Sequence, residues 1–261
     1  MVTVKDIHEF IQSLAPEYMA MEWDHVGLLC GRSDREVRKI MVALDPFAGV
    51  CREARDENCQ LLLTHHPAIW KLDAVNDATQ TGENLLFLIE NGISALNAHT
   101  NLDCAPGGVN DCLAKTLGLS DVEVIDPVGT DAQGRAYGLL RGGNIAPTEA
   151  EAFVQHVKAS LGCEGLRYVA GREISRVAVG GGSCSDALHR VAELGYDALV
   201  TADCKYNAFA DAADLGITLI DAGHFQTENP VCAYLAQALR AKFPELEVLL
   251  SRTHRDVIRF A

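Results

Sequence analysis

Short apolar runs alternate with segments of helical periodicity along this chain. The opening segment carries Ile7, Phe10, Ile11 and Leu14 at the i, i+3, i+4, i+7 spacing of one helix face. Similar patterns predict helices over residues 47–58, 83–91, 110–117, 186–194, 208–214 and 230–242. Apolar runs typical of buried strands lie at residues 39–44, 60–64, 93–98, 175–179, 198–201 and 217–221. Strands that alternate with helices predict an α/β fold with a largely parallel sheet.

The two halves of the chain repeat one another. Residues 40–66 align without a gap with residues 177–203, so that Thr64 falls on Thr201, 137 positions later. Further on, H-T-N-L-D at 99–103 matches H-F-Q-T-E at 224–228 with an offset of 125, which places twelve extra residues of the first copy after Pro67. Any two strand–helix–strand units share a hydrophobic pattern, but the paired H-x-x-x-D and H-x-x-x-E favour a duplication.

Domain boundaries are predicted from the stretch at residues 126–147, which contains glycines and prolines. As the crossing between lobes, it gives a first lobe of residues 1–126 and 225–261 and a second lobe of residues 127–224.

The net charge and the cysteine content limit the binding partners and the cellular compartment that we expect. The formal charge is −14, from 22 basic and 36 acidic residues, which disfavours broad nucleic-acid surfaces and anionic membranes. The only support for nucleic-acid binding is a small group of basic residues near the C-terminus, Arg252, Arg255 and Arg259. No apolar stretch approaches the roughly 18 residues of a membrane helix, and the first residues do not look like a signal peptide. Nine cysteines without a C-x-x-C pair predict reduced, mostly buried thiols in the cytoplasm.

Side chains that bind metals follow three of the predicted strands. Four histidines and two carboxylates lie there: His65, His66, His99, Asp103, His224 and Glu228. Ligands of parallel α/β sheets gather at these carboxyl ends. A single histidine at such a position is more often structural, and Asp103 and Glu228 are also suited to capping the next helix. Together the six residues match Zn²⁺, Fe²⁺, Mn²⁺ or Ni²⁺. Five or six ligands exceed the needs of one catalytic zinc ion, so we predict two divalent ions that activate a water molecule.

Two further features lie at strand ends of the second copy. The repeat puts Asp203 where the first copy has His66, so we expect Asp203 to point towards the same region, with a helix cap near Asn207 as the alternative. Lys205 follows the same strand. Residues 180–183 (G-G-G-S) are predicted to form a tight turn. The alternative is an anion site at a helix N-terminus, but the run is neither a Walker loop nor a G-x-G-x-x-G motif.

Four blocks carry a resemblance to a known family: E-W-D-H-V-G-L at 22–28, L-L-T-H-H-P at 62–67, A-H-T-N-L-D at 98–103 with A-P-G-G-V-N at 105–110, and L-I-D-A-G-H-F-Q-T-E at 219–228. They resemble the Nif-three-like proteins, also named GTP cyclohydrolase 1 type 2 homologues, almost end to end and in the short form. Two departures are His25, where the family commonly has Asn, and Asn207, where many members have His.

The resemblance implies two similar αβα lobes that face each other across a metal-binding cleft, usually assembled into a ring-shaped homohexamer. It implies metal ligands at His65, His66, Asp103, His224 and Glu228, and it leaves His99 as a nearby acid–base group. The implied activity is a hydrolase with two divalent ions that acts on a small, nucleotide-like substrate. The alternative is a non-enzymatic metal-binding or regulatory partner-binding protein, such as a metal carrier, with readily exchanged metal and no turnover.

Overall fold

The computed structural model describes residues 1–72 and 74–261, and the fold is α/β. The helices are α1 (Val4–Leu14), α2 (Ala48–Asp56), α3 (Gln80–Glu90), α4 (Thr100–Cys104), α5 (Val109–Thr116), α6 (Ala150–Leu161), α7 (Leu188–Glu193), α8 (Tyr206–Leu215), α9 (His224–Glu228) and α10 (Pro230–Lys242). The strands are β1 (Gly27–Cys30), β2 (Lys39–Ala43), β3 (Leu61–Thr64), β4 (Ser94–Asn97), β5 (Ser120–Ile125), β6 (Gly129–Thr130), β7 (Ala136–Tyr137), β8 (Leu140–Thr148), β9 (Arg167–Val169), β10 (Ile174–Val179), β11 (Ala198–Thr201), β12 (Thr218–Asp221) and β13 (Glu247–Leu250). Among the described helices, none combines the length and apolarity that a bilayer crossing requires.

The chain forms two compact units. Unit 1 contains residues 1–105 and 231–255, and unit 2 contains residues 106–230 and 256–261. The expected crossings near residues 126 and 224 therefore differ from the observed ones. Residues 106–126 lie in unit 2 because α5 buries Leu113 and Ala114 in the core of that unit and β5 pairs with β8.

The stretch at residues 126–147 is a sheet region of unit 2 and not the predicted crossing. It holds the β6–β7 hairpin and most of β8. Its glycines reflect close packing, since a Cβ at Gly142 would overlap the Tyr196 ring and one at Gly143 would lie 2.9 Å from Leu119 Cβ. Glycine in a strand often marks such a close approach, which a sequence pattern does not separate from a loop.

Unit 1 is built on a five-stranded sheet of order β1-β4-β3-β2-β13. The last four strands of this order are parallel, and β1 runs antiparallel to β4. All four residues of β3 and of β4 are buried, as expected for strands covered on both faces. Met41, Leu62 and Leu88 lie in the core that α2 and α3 cover.

Unit 2 is built on a six-stranded sheet of order β5-β8-β10-β11-β12-β9. Only β10, β11 and β12 are mutually parallel, so the sheet is mixed where the sequence predicted a largely parallel one. Phe153 of α6 packs on one core cluster and Leu188 of α7 on the other.

The internal repeat is confirmed by strand order and direction. The order β2-β3-β4-β1 of unit 1 corresponds to β10-β11-β12-β9 of unit 2, with an antiparallel last strand in each. The register pairs Leu61 with Ser94, and in the second copy Ala198 with Thr218. That register sets the third-strand offset at 124, one less than for the histidines that follow, and Gly223 (φ 91°) is the additional residue before His224.

Candidate metal centre

In unit 1, three histidine rings converge at the carboxyl ends of two adjacent parallel strands. His65 and His66 follow β3, and His99 follows β4 at the N-cap position of α4. The two strands end level because they pair in register through Thr64 and Asn97. All three rings are buried, and each offers a ligand nitrogen within 4.8 Å of the others. The adjacent residues His65 and His66 thus turn to one side after the strand, with ring centroids 5.0 Å apart.

Hydrogen bonds orient these three rings in the same way. Each Nδ1 lies close to an oxygen: 2.8 Å between His65 and the Ala98 carbonyl, 2.6 Å between His66 and Asp45 Oδ1, and 2.8 Å between His99 and Asp24 Oδ2. An Nδ1–H that donates to oxygen fixes the tautomer and leaves the lone pair on Nε2. Metal-binding histidines have this arrangement in most proteins.

Asp103 faces this group from α4. Its Oδ1 lies 3.5 Å from His65 Nε2, and the side chain is buried. The capping role considered for Asp103 does not apply, because the residue lies inside α4 and His99 occupies the N-cap. A buried carboxylate beside an imidazole lone pair is suited to a divalent cation.

Asp24 is the partner of His99, its side chain is buried, and the strand-end pattern in the sequence does not mark it. The Oδ2 atom of Asp24 accepts hydrogen bonds from the Thr100 N–H (3.0 Å) and the Thr100 hydroxyl (2.6 Å) as well as from the imidazole. Burial alone would raise the pKa of Asp24, but the hydrogen bonds from His99 and Thr100 outweigh it and hold the pKa well below its ordinary value. Asp24 stays ionised and keeps the Nδ1 proton on His99.

Asp45 has the same role for His66, and it connects that residue to the C-terminal segment. His254 Nε2 lies 2.9 Å from Asp45 Oδ2. Burial would raise the pKa of Asp45, but the hydrogen bonds from His254 and His66 lower it well below its ordinary value. The signal available in the sequence was the position of Asp45 directly after the strand 39–44, the same strand-end rule that identified the histidines.

In unit 2, His224 and Glu228 lie one turn apart on α9. His224 Nε2 is 3.0 Å from Glu228 Oε2, and His224 Nδ1 is 2.7 Å from Asp203 Oδ2. Asp203 follows β11 in a left-handed conformation (φ 52°). It does not cap α8, whose N-cap is Lys205. The repeat therefore led to a residue that holds the ring of His224.

The glycine run after β10 provides space for Glu228. A Cβ at Gly182 (φ 63°) would overlap Glu228 Oε1, and one at Gly181 would lie 3.2 Å from Glu228 Cγ. The Gly181 N–H donates to Asn110 Oδ1 (2.6 Å) and the Gly182 N–H to Thr227 Oγ1 (3.1 Å). Since these N–H groups have partners within the protein, the turn is favoured over an anion site.

The chemistry of the donor groups in each unit fits divalent metal ions. With a proton on Nδ1 of His224, both Nε2 and the Glu228 carboxylate are acceptors, and acceptors 3.0 Å apart repel each other unless a proton or a cation lies between them. Imidazole and carboxylate ligands together suit Zn²⁺, Fe²⁺, Mn²⁺ and Ni²⁺. His99 belongs to the same group as His65 and His66, so its position suits a ligand as well as an acid–base group.

Comparisons with known proteins identify the family. Residues 2–257 match the family described as Duf34/NIF3 (NGG1p interacting factor 3). The chain belongs to this family. It is 31% identical over 264 residues to the Clostridium perfringens protein named GTP cyclohydrolase 1 type 2 homolog, covering 98% of this chain and 99% of that protein. The resemblance found in the sequence blocks is thereby confirmed.

Solved structures match over the whole fold. A Bacillus cereus protein related to NIF3 has a TM-score of 0.94 at 23% identity, covering 100% of this chain and 99% of that one, and this likeness concerns the fold. Reduced HcgD from Methanocaldococcus jannaschii has a TM-score of 0.80 at 29% identity, covering 95% and 97% of the two chains.

Proposed function

We propose that this protein is a hydrolase that uses two divalent metal ions and acts on a small, nucleotide-like substrate. The observation that carries the proposal is the shared orientation of His65, His66, His99 and His224, each of which directs Nδ1 to an oxygen of the protein. Four matched tautomers are more than helix capping or core packing requires. The name GTP cyclohydrolase 1 type 2 homolog, carried by relatives, supports the nucleotide class.

The proposed ligands come from both copies of the repeat: His65, His66, Asp103, His224 and Glu228. The ions would supply Lewis-acid polarisation of the substrate and a water molecule of lowered pKa. Asp45 and Asp203 hold two of the imidazoles in the tautomer that coordination needs. The tight turn at Gly182 gives the Glu228 carboxylate its space.

We assign proton transfer to His99. The ionised Asp24 keeps a proton on His99 Nδ1, so that Nε2 accepts a proton from the attacking group and returns it to the leaving group. In the cyclohydrolase reaction that the names of relatives suggest, the electrophile is the imidazole part of a purine ring. His99 would then serve as base and acid in turn.

We also propose a cytoplasmic, ring-shaped hexamer. None of the nine cysteines is in a disulfide and eight are buried, which supports a reducing compartment. The hexamer rests on the family resemblance. Native mass spectrometry tests it: an assembly of six 28.2 kDa chains is expected, and a monomer at micromolar concentration would contradict it.

Elemental analysis combined with an activity screen tests the hydrolase. We expect two retained ions per chain and metal-dependent turnover of a nucleotide from a panel that includes GTP and simple amides. His65→Ala should lose the retained metal and the turnover while its circular dichroism spectrum remains unchanged. The control is His156→Ala, because the His156 ring bonds to the Leu117 carbonyl, and this variant should keep the metal and the turnover. Rapidly exchanged metal and no turnover across the panel would overturn the proposal in favour of a metal carrier.

A further inference from the structure

Both tryptophans of the chain lie against His99. The ring centroids of Trp23 and His99 are 6.0 Å apart with an interplanar angle of 69°, and those of Trp70 and His99 are 5.0 Å apart at 85°. Trp70 also lies 6.3 Å from the His66 ring. These edge-to-face contacts are favourable arrangements for aromatic rings. The only two indoles in the sequence therefore flank the residue to which we assign proton transfer.

Neither indole is buried by these contacts. Trp23 is 62% exposed and Trp70 is 57% exposed. Tryptophan is the largest side chain, and leaving two of them in water at one site gives up the free energy that burial would provide. An exposed aromatic pair beside polar, buried histidines is typical of a ligand site, in which a few polar groups act within apolar walls.

The backbone holds Trp23 in place through the partners of His99. The adjacent Asp24 bonds to His99 and to Thr100, and the Thr100 hydroxyl accepts a hydrogen bond from the Met21 N–H (2.9 Å). The backbone is thus held near the imidazole both before Trp23, at Met21, and after it, at Asp24. A rigid aromatic side chain binds a flat partner at low entropic cost.

Trp70 belongs to the segment that distinguishes the first copy of the repeat from the second. It lies three residues after Pro67, in the connection from β3 to α3, where the sequence alignment placed the additional residues. The shorter connection from β11 to α8 in the second copy reaches its helix at Tyr206. The additional residues therefore bring an aromatic side chain to the His99 side of unit 1.

We infer that Trp23 and Trp70 bind the planar heteroaromatic ring of the substrate beside His99. This inference rests on the proposed function, because it gives the substrate ring a position at the catalytic histidine. Indole faces stack on nucleobases with little dependence on base identity. Indole offers only one N–H donor and no charge, so the two tryptophans themselves contribute little to the binding of a sugar phosphate without a base.

Intrinsic tryptophan fluorescence tests the inference directly, because all indole emission of this chain comes from these two residues. The full-length protein is loaded with Zn²⁺, which has no redox chemistry to quench emission. Guanosine provides the ring without phosphate, and ribose 5-phosphate provides the phosphate without the ring. We expect saturable quenching by guanosine and no saturable change with ribose 5-phosphate.

Variants separate stacking from general effects. Trp23→Leu and Trp70→Leu should each raise the Kd for guanosine about ten-fold, because the stacking of one base on one aromatic side chain raises affinity by about that factor. Trp→Phe at either position should restore most of the affinity. The control Tyr168→Leu removes another exposed aromatic side chain, on β9, and should leave the Kd unchanged.

The outcomes distinguish this inference from the hydrolase proposal. Guanosine binding that both leucine variants weaken, in a protein without turnover, supports the stacking site and contradicts the hydrolase. Metal-dependent turnover with the same KM in the leucine variants and the wild type overturns the stacking site alone. Ribose 5-phosphate binding that both leucine variants weaken as much as they weaken guanosine binding overturns it as well.

Discussion

At the scale of single residues, two aspartates hold two histidines by the same atom but for different tasks. Asp45 accepts from Nδ1 of His66, a proposed ligand, and Asp24 accepts from Nδ1 of His99, the proposed acid–base group. Replacing each aspartate by asparagine leaves the side-chain volume almost unchanged and perturbs only one of these two histidines at a time, although Asp45→Asn also alters the contact with His254. The pair of variants therefore tests which histidine binds metal.

We predict that Asp45→Asn lowers metal affinity about 10- to 100-fold, as the loss of such partners does at other metal sites. Asp24→Asn should keep metal affinity within about three-fold and lower kcat about 10²- to 10⁴-fold, because the wrong tautomer of His99 is favoured. Competition with a chromophoric chelator measures the first quantity and steady-state kinetics the second. If Asp24→Asn loses metal as severely as Asp45→Asn, His99 is a ligand and the acid–base assignment is wrong.

Gly182 allows a second test at one residue. Alanine there costs about 1 kcal/mol of unfolding free energy for its left-handed backbone, and its Cβ also displaces the Glu228 carboxylate. Gly162 has a nearly identical φ of 66° but open space around the Cβ position, so Gly162→Ala is a matched control. We predict similar losses of thermal stability in both variants and about ten-fold weaker metal binding in Gly182→Ala only. Equal metal affinities would show that Glu228 does not need this space.

The sequence alone predicts only part of the surroundings of these histidines. The four histidines and two carboxylates of the proposed site are marked in the sequence by strand ends and by the family blocks. Asp24 and Asp45 could not be paired with their histidines, since the partners lie 75 and 21 positions away and no periodicity connects them. The glycine run was recognised as a turn, but its clearance for Glu228 depends on an element that follows some forty residues later.

At the scale of elements, the chain after β13 is attached to unit 1 through one buried carboxylate of α2. Glu53 accepts hydrogen bonds from the backbone N–H groups of Arg252 and Thr253 and from the hydroxyls of Ser251 and Thr253. This attachment leads directly to His254, which bonds to Asp45. Glu53 thus holds the segment that supports the partner of His66.

The pKa of Glu53 makes this attachment depend on pH. Burial alone would raise the pKa, but the hydrogen bonds from Ser251, Arg252 and Thr253 outweigh it and lower the pKa from its ordinary 4.5 to about 2. A lowered folded-state pKa stabilises the protein above the unfolded-state pKa, and the contribution is lost as pH falls from about 4.5 to about 2. The full contribution is about 3 kcal/mol.

We predict that Glu53→Gln lowers the free energy of unfolding by about 2 kcal/mol at pH 7 and flattens its dependence on pH below 4.5. Glu57→Gln is the control: Glu57 ends the same helix and pairs with Arg252, which is largely exposed, so it should cost less than about 1 kcal/mol. Urea denaturation between pH 3 and 7 measures both. A Glu53→Gln curve parallel to that of the wild type would contradict the role of the carboxylate.

The central elements could be predicted because their patterns reflect burial on both faces. Residues 198–201 and 230–242 were predicted with the observed bounds of β11 and α10. The antiparallel strands were not predicted. β8 carries Gly142, Gly143 and Pro147 and loses its apolar pattern in its second half, and β9 has only three residues, mostly exposed. Short or irregular strands take their stability from pairing, which a local pattern does not report.

At the scale of the whole molecule, the duplication produced two units that share the order of four strands and carry different polar groups. The first copy has three histidines and Asp103 at its strand ends, and the second has His224, Glu228 and Asp203. The proposed ligand set draws three residues from unit 1 and two from unit 2. Whether these bind the same pair of ions or separate ions is a question of energetic coupling between the copies.

A double-mutant cycle on metal affinity answers this question. If His65 and His224 bind the same dinuclear centre, removing one changes what the other contributes, because the remaining ligands and ions rearrange together. We therefore predict that the loss of Zn²⁺ binding free energy in the double variant His65→Ala/His224→Ala differs from the sum of the single losses by about 0.5–3 kcal/mol.

Separate sites would give additive losses, each confined to its own ion. The control cycle pairs His65→Ala with His156→Ala and should be additive within about 0.5 kcal/mol. Additivity in both cycles, with each single variant losing one ion independently, would mean that the two copies bind metal as independent sites.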